Sequence, residues 1–149
     1  MTWALQFDGV NDYATIGYSL SGETNFTLEL KIALDNTGYK FAVLTDHNYA
    51  GNNIFIWDGG TATPLIELRT GGADISLHDD TAWVIFEYHT VKVVKTGTTH
   101  QLYIDGVLKD TVVSTAVFTG GFTEMGRDPN NANNSAHLEY LKVTGTASS

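Results

Sequence analysis

The run Phe26-Thr27-Leu28-Glu29-Leu30-Lys31-Ile32-Ala33-Leu34 decides the fold class. Apolar side chains stand at every second position, with Thr27, Glu29 and Lys31 between them. Successive side chains of an extended chain point to opposite faces, so this strand sets one face on a core and the other in water. A helix would scatter the same apolar residues around its circumference. Working outward, shorter runs of β-type residues predict strands over 3–7, 13–17, 41–45, 53–57, 65–69 and 74–78. The second half adds 84–88, 90–95, 100–104, 107–113, 122–125 and 137–143. Turn-forming clusters at 8–12, 58–61, 70–73, 95–98, 120–121 and 128–135 separate them, and no stretch keeps helical spacing over three turns. Many short strands without helices predict an all-β, two-sheet antiparallel jelly-roll sandwich.

Two stretches fix where the chain reverses. One is Phe7-Asp8-Gly9-Val10-Asn11-Asp12-Tyr13-Ala14-Thr15-Ile16, the other Leu102-Tyr103-Ile104-Asp105-Gly106-Val107-Leu108. Each sets Asp and Gly between β-type residues, as a tight reversal needs, and Gly106 is expected at positive φ.

Size and charge narrow the function. A chain of 149 residues suits one domain, expected over 1–144, with a small polar tail at 145–149 that frays. There is no cysteine, which excludes disulfides and thiolate metal sites. The formal net charge is −9, and the eight basic residues are scattered. Nucleic acid and anionic membranes need clustered Lys and Arg, so neither is an expected partner. The longest apolar run, 82–86, is far below the roughly 20 residues of a membrane span. Met1-Thr2-Trp3 shows no basic or apolar leader, so no signal peptide is expected. Localisation stays open between a soluble, a virion and a cell-surface setting.

The ordered motifs resemble the laminin-G-like and concanavalin-A-like lectin/glucanase jelly-roll superfamily. The resemblance rests on Ala4-Leu5-Gln6-Phe7-Asp8-Gly9 followed by Asp12-Tyr13-Ala14, on Tyr88-His89-Thr90-Val91-Lys92-Val93, and on Leu102-Tyr103-Ile104-Asp105-Gly106. Gly126, the loop 128–135 and the alternating 138–143 close the pattern. It implies the jelly-roll fold and a range of activities: lectins, pentraxins, adhesion modules, glycosidases and modules of viral structural proteins. Fold alone does not choose among them.

The choice rests on sites. Glycosidases need two carboxylates flanking the scissile bond. The six glutamates stand singly, and no Glu-x-Asp-x-x-Glu run occurs. Asp79-Asp80 are neighbours in a turn and diverge, a structural pattern. The five histidines lack zinc-ligand spacing, and His89 and His100 are expected at packed or surface sheet positions. Ca²⁺ takes six to eight oxygen ligands from flexible loops. Asp46, Asn48, Asn52 and Asn53 form one oxygen-rich segment, and Asp128-Pro129-Asn130-Asn131-Ala132-Asn133-Asn134 another. The resemblance to pentraxins matches both segments in order, which sets Asn52, Asn53, Asp128 and Asn130 as the expected Ca²⁺ ligands. Asn also recurs in loops simply because it tolerates turns.

For a sugar, an aromatic face beside amide and carboxylate groups is the required chemistry. Trp57 and Asp58, with Asn48, Asn131 and Asn133, are the expected ligand contacts, drawn from rim loops 46–53, 58–61 and 128–134. Trp83 opens the run Trp83-Val84-Ile85-Phe86, either core or a subunit contact. The reading is a non-catalytic recognition module, glycan-binding and acting within a larger assembly with glycan, protein or self partners. The alternative is a purely structural component of a virion, tail or adhesin, and a polysaccharide hydrolase ranks third.

Overall fold

The computed structural model describes residues 5–8, 12–35, 40–46, 48, 50–57, 63–127 and 135–145. They form β1 (Leu5–Asp8), β2 (Ala14–Ser19), β3 (Asn25–Leu34), β4 (Lys40–Thr45), β5 (Asn52–Trp57) and β6 (Leu65–Thr70). The second half supplies β7 (Asp74–His78), β8 (His89–Thr96), β9 (Thr99–Ile104), β10 (Val107–Val113), β11 (Gly121–Met125) and β12 (Ser135–Gly145). Sheet A has the order β1-β12-β3-β8-β9-β10 and sheet B the order β2-β11-β4-β5-β6-β7. Every pairing is antiparallel. The described residues contain no helix. This is the two-sheet sandwich that the alternation predicts.

The five apolar residues of β3 all face inward and are buried. Val91 and Val93 of β8 and Leu102 and Ile104 of β9 continue that inner face. Ile54 and Ile56 of β5, Ile66 and Leu68 of β6, and Ile75 and Leu77 of β7 meet it from sheet B. Phe26, Phe118 and Phe122 fill one end, with ring centroids 6.0 and 5.2 Å apart. Burying a side chain of this size contributes about 1.5–3 kcal/mol, so the two inner faces hold the sheets together. On one flank the sheets also meet at their edges, where the His78 N–H of β7 donates to the Asp110 carboxylate of β10 at 2.8 Å.

The turn at 105–106 behaves as the sequence predicts. Gly106 has φ +81° and Asp105 +50°, the left-handed region that favours Gly and tolerates Asp. The Asp8 N–H donates to Asp12 across the first turn, whose residues 9–11 lie outside the described set.

The expected strand over 84–88 does not form. Trp83 is buried, but residues 84–88 are all exposed. Glu87 N–H bonds the Val84 carbonyl at 3.2 Å, which closes a turn with Phe86 at φ +65°. The run is apolar but does not alternate, so no single face could be offered to a core. Trp83 is therefore core, held by its indole N–H to Asp79 at 3.1 Å.

The strand directions give the sandwich two ends. Residues 46, 48 and 50–51 and loops 71–73, 97–98 and 114–120 lie at one end. Segment 79–88 and the turn at 105–106 lie at the other.

Candidate functional site

The outer face of sheet B is the part of the surface that sequence alternation leaves unexplained. Register sets one rung of Thr15, Glu124, Thr45, Asn53, Arg69 and Asp74 across all six strands. A second rung runs Ala42, Phe55, Glu67 and Ser76, and a third Lys40, Trp57, Leu65 and His78. An outward face is normally wet, yet Ala42, Thr45, Asn53 and Phe55 are fully buried and Glu67 is only 9% exposed. Polar groups buried there need partners. Arg69 Nε donates to Glu67 at 2.5 Å, and the guanidinium lies 5.4 Å from the centre of the Phe55 ring. Trp57 is half-buried and meets Phe55 edge-on at 6.3 Å. Beside Arg69 a recess of about 410 Å³ opens, lined by Ala50, Arg69, Gly71, Gly72, Ala73 and Asp74. Its walls are small or backbone, so a ligand can reach main-chain groups as well as Arg69 and Asp74.

The loop over this rung is fixed by its own polar groups. The Asp46 carboxylate accepts the Asn48 N–H at 2.9 Å and the Asn52 N–H at 2.7 Å. Gly51 is required here, because a Cβ would overlap that carboxylate. Asn48 Oδ1 accepts from the Ala50 N–H at 3.2 Å. Asn53 donates to the Asn48 carbonyl at 2.9 Å and accepts the Thr45 hydroxyl at 2.6 Å. Asn52 points the other way, toward the sheet-to-sheet crossover, and accepts the Thr119 N–H at 2.9 Å.

These placements bear on the residues expected from sequence. Asn48 and Trp57 flank the two ends of β5 rather than one rim; Asn53, which bonds the Asn48 carbonyl, and Trp57 are themselves about 13 Å apart at about 3.3 Å per residue. Loops on either side of one strand necessarily lie at opposite ends. Asn52 and Asn53 are neighbours on that strand, so their amides face opposite sides, and both amide oxygens already accept hydrogen bonds. The described residues thus do not gather a Ca²⁺ cage around them, and no three His, Asp or Glu side chains among the described residues cluster as ligands. Asp58, Asp128, Asn130, Asn131 and Asn133 lie outside the described residues. Gly126, close before Asp128, bonds the Ala42 carbonyl, so β11 leads away from Asn52.

The sequence reading missed Glu67, Arg69 and Asp74. Its signal was present: Glu67-Leu68-Arg69 puts opposite charges two apart on one strand face, with Phe55 and Trp57 two apart on the next strand.

At the other end stands a second polar cluster, around Asp79, His89 and Asp105. His89 Nδ1 lies 2.7 Å from Asp105, and the His89 ring stacks on Trp83 at 4.4 Å. Burial opposes ionisation of Asp79, but the Thr81 N–H, the Trp83 indole and Lys109 hold its carboxyl below the usual range. Burial likewise opposes ionisation of Asp105, and His89 and the Thr90 N–H outweigh it. The Asp79-Asp80 pair diverges as expected, with Asp79 buried and Asp80 exposed.

A family model described as the concanavalin A-like lectin/glucanases superfamily matches residues 8–143. No curated relative matches at the sequence level. Among solved structures, domains LG4-5 of the mouse laminin α1 chain superpose with TM-score 0.73 at 11% identity, covering 97% of this chain and 43% of that one. A heptameric SAP-like pentraxin from Limulus polyphemus gives 0.72 at 12% identity, covering 93% and 73%. The carbohydrate binding module CBM66 from Bacillus subtilis gives 0.60 at 15% identity, covering 94% and 91%. At these identities the likeness is one of fold. No helix among the described residues is long and apolar enough to cross a membrane.

Proposed function

We propose, from the premise that this chain belongs to the concanavalin A-like lectin/glucanase superfamily, that it is a non-catalytic module which binds a glycan along the outer face of sheet B. One observation carries the reading: Arg69, paired with Glu67, lies over Phe55 and lines the recess beside Ala50 and Asp74. A pyranose offers an apolar ring face and a rim of hydroxyls. Trp57 suits the ring face, while a fixed guanidinium and carboxylate suit neighbouring hydroxyls that donate and accept. The pair is already ordered by burial, so little side-chain entropy is lost on binding. Trp57 with Asp58 would extend the strip at one end, and Asn48 stands on the loop that walls the recess at the other.

A binding role fits how the strand glutamates are used. Glu67 is held by Arg69, Glu124 by Arg127, Glu139 by Lys31, and Glu29 accepts the Tyr140 hydroxyl. Affinity per site is expected to be weak, and several copies in an assembly would raise it through effective concentration.

The test plugs the recess. Gly72 has open space around its Cβ direction and needs no positive φ. Gly72→Trp should leave the melting temperature unchanged and weaken oligosaccharide binding at least about tenfold by calorimetry. Absence of wild-type binding across neutral and acidic glycans would sink the proposal. New reducing ends released from a polysaccharide would sink its non-catalytic part.

A further inference from the structure

The turn at residues 84–87 is built in a way that neither folding nor the glycan reading uses. Its third residue, Phe86, has φ +65°, a position where a turn prefers Gly. The bulky side chain is nevertheless 61% exposed, with Val84 at 62% and Ile85 at 41% beside it. The base of the turn is rigid. Phe86 N–H donates to the Leu34 carbonyl at 2.8 Å, and buried Trp83 is clamped by Asp79 and His89. A strained backbone thus holds three consecutive apolar side chains largely exposed, with the Phe86 ring meeting His137 edge-on at 6.2 Å. Asp80 and Glu87, both exposed, flank them.

A surface of the opposite character exists on the same molecule. The outer face of sheet A carries the rung Lys142, Glu29, Lys92, Tyr103 and Leu108. In a chain of net charge −9 this face holds three of the eight basic residues: Lys31, Lys92 and Lys142. Lys31 is paired with Glu139, but among the described residues neither Lys92 nor Lys142 forms an ion pair. Leu108 and Tyr140 are 48% and 40% exposed there.

We infer that the 84–87 turn of one copy docks on the outer face of sheet A of a second copy. Ile85 and Phe86 would lie on Tyr103, Leu108 and the lysine stems, while Glu87 and Asp80 meet Lys92 and Lys142. A turn-on-turn contact is disfavoured, since it would set Asp80 and Glu87 against their own copies. The two surfaces differ, so the contact is head-to-tail and builds a ring or a filament.

Sedimentation velocity of the full chain over a concentration series tests this. The wild type should self-associate, less so at high salt. Phe86→Gly suits the backbone, so it should keep or raise the melting temperature while association is lost. Glu87→Lys and Lys92→Glu should each weaken association about tenfold, and the double variant should restore it. A monomeric wild type at every concentration overturns the inference. So does association that survives Phe86→Gly, or a double variant no better than the singles.

Discussion

The two sheets of this sandwich share an inner core but have opposite outer faces. On sheet A, Thr27, Glu29 and Lys31 of β3, Lys92 and Val94 of β8, and Gln101 and Tyr103 of β9 are half-buried and alternate with core residues. On sheet B, the equivalent positions Ala42, Thr45, Asn53 and Phe55 are as buried as the core itself. A solvated face tolerates charge without pairing. A covered face does not, so each polar group on it must be matched. Concentrated, matched polarity on a covered outer face is the observation on which the binding proposal rests.

The largest expected effect separates the faces directly. Phe55→Ala on sheet B should cost about 3–5 kcal/mol, as for a core aromatic, although the residue points away from the core. Gln101→Ala on sheet A should change stability by no more than about 0.5 kcal/mol. Denaturant midpoints for the pair measure the contrast directly. Equal, small losses would mean that the outer face of sheet B is open after all.

Next in size is the ion pair. Arg69→Ala leaves the Glu67 carboxylate in a site where the two side chains are only 14% and 11% exposed. Removing one partner of a buried pair costs about 3–5 kcal/mol, and the residual exposure puts this case at the lower end. Replacing both with Met should recover much of that loss, because the desolvation penalty disappears with the charges. On sheet A, Lys31→Ala removes a pair whose lysine is 39% exposed and should shift the midpoint much less.

The same contrast explains what the sequence could tell. β3 alternates because one of its faces is wet, so the strand and its inward residues are legible, while its partners β8 and β12 come only from the register. β4 and β5 read as Phe41-Ala42-Val43-Leu44 and Ile54-Phe55-Ile56-Trp57, nearly continuous apolar runs. Such runs announce a strand but not which side holds the core. Phe55 was therefore readable as buried, while Arg69 lying over it was not. The 84–88 run misled for a related reason: hydrophobicity without alternation does not distinguish a strand from an exposed turn. Composition groups Asn48 with Trp57, and only the direction of β5 shows that they belong to opposite ends.

A smaller effect belongs to what the faces enclose. His100 is 1% exposed on the inner face of β9, across from Lys95 of β8. Burial first, and Lys95 second, push its pKa below the ordinary 6.5, against hydrogen bonds to Val112 and Thr98. Below about pH 6.5 the unfolded chain takes up this proton more readily than the folded one, so stability should fall from about pH 7 to 5. His100→Leu should flatten that slope. Asp79 and Asp105 act in a different window, since their stabilisation is lost only as pH falls below the ordinary 3.8. A stability profile of the wild type that stays flat between pH 7 and 5 would remove His100 from the account.

The smallest expected change in stability sharpens the comparison most. Asp74 sits across from Arg69 at the edge of sheet B, and it is exposed. Asp74→Ala removes no buried contact, so the midpoint should move by no more than about 0.5 kcal/mol. Yet Asp74 lines the recess beside Arg69, where a carboxylate would accept a sugar hydroxyl while the guanidinium donates to the next. Losing a charge-assisted hydrogen bond of this kind should weaken binding by about 1.5–3 kcal/mol, or roughly ten- to a hundredfold. Lys142→Ala, the matched change on the outer face of sheet A, should leave glycan affinity untouched. If calorimetry finds the two variants equally impaired, or equally unimpaired, the recess is not where the ligand sits. The buried polarity of sheet B would then be structural alone.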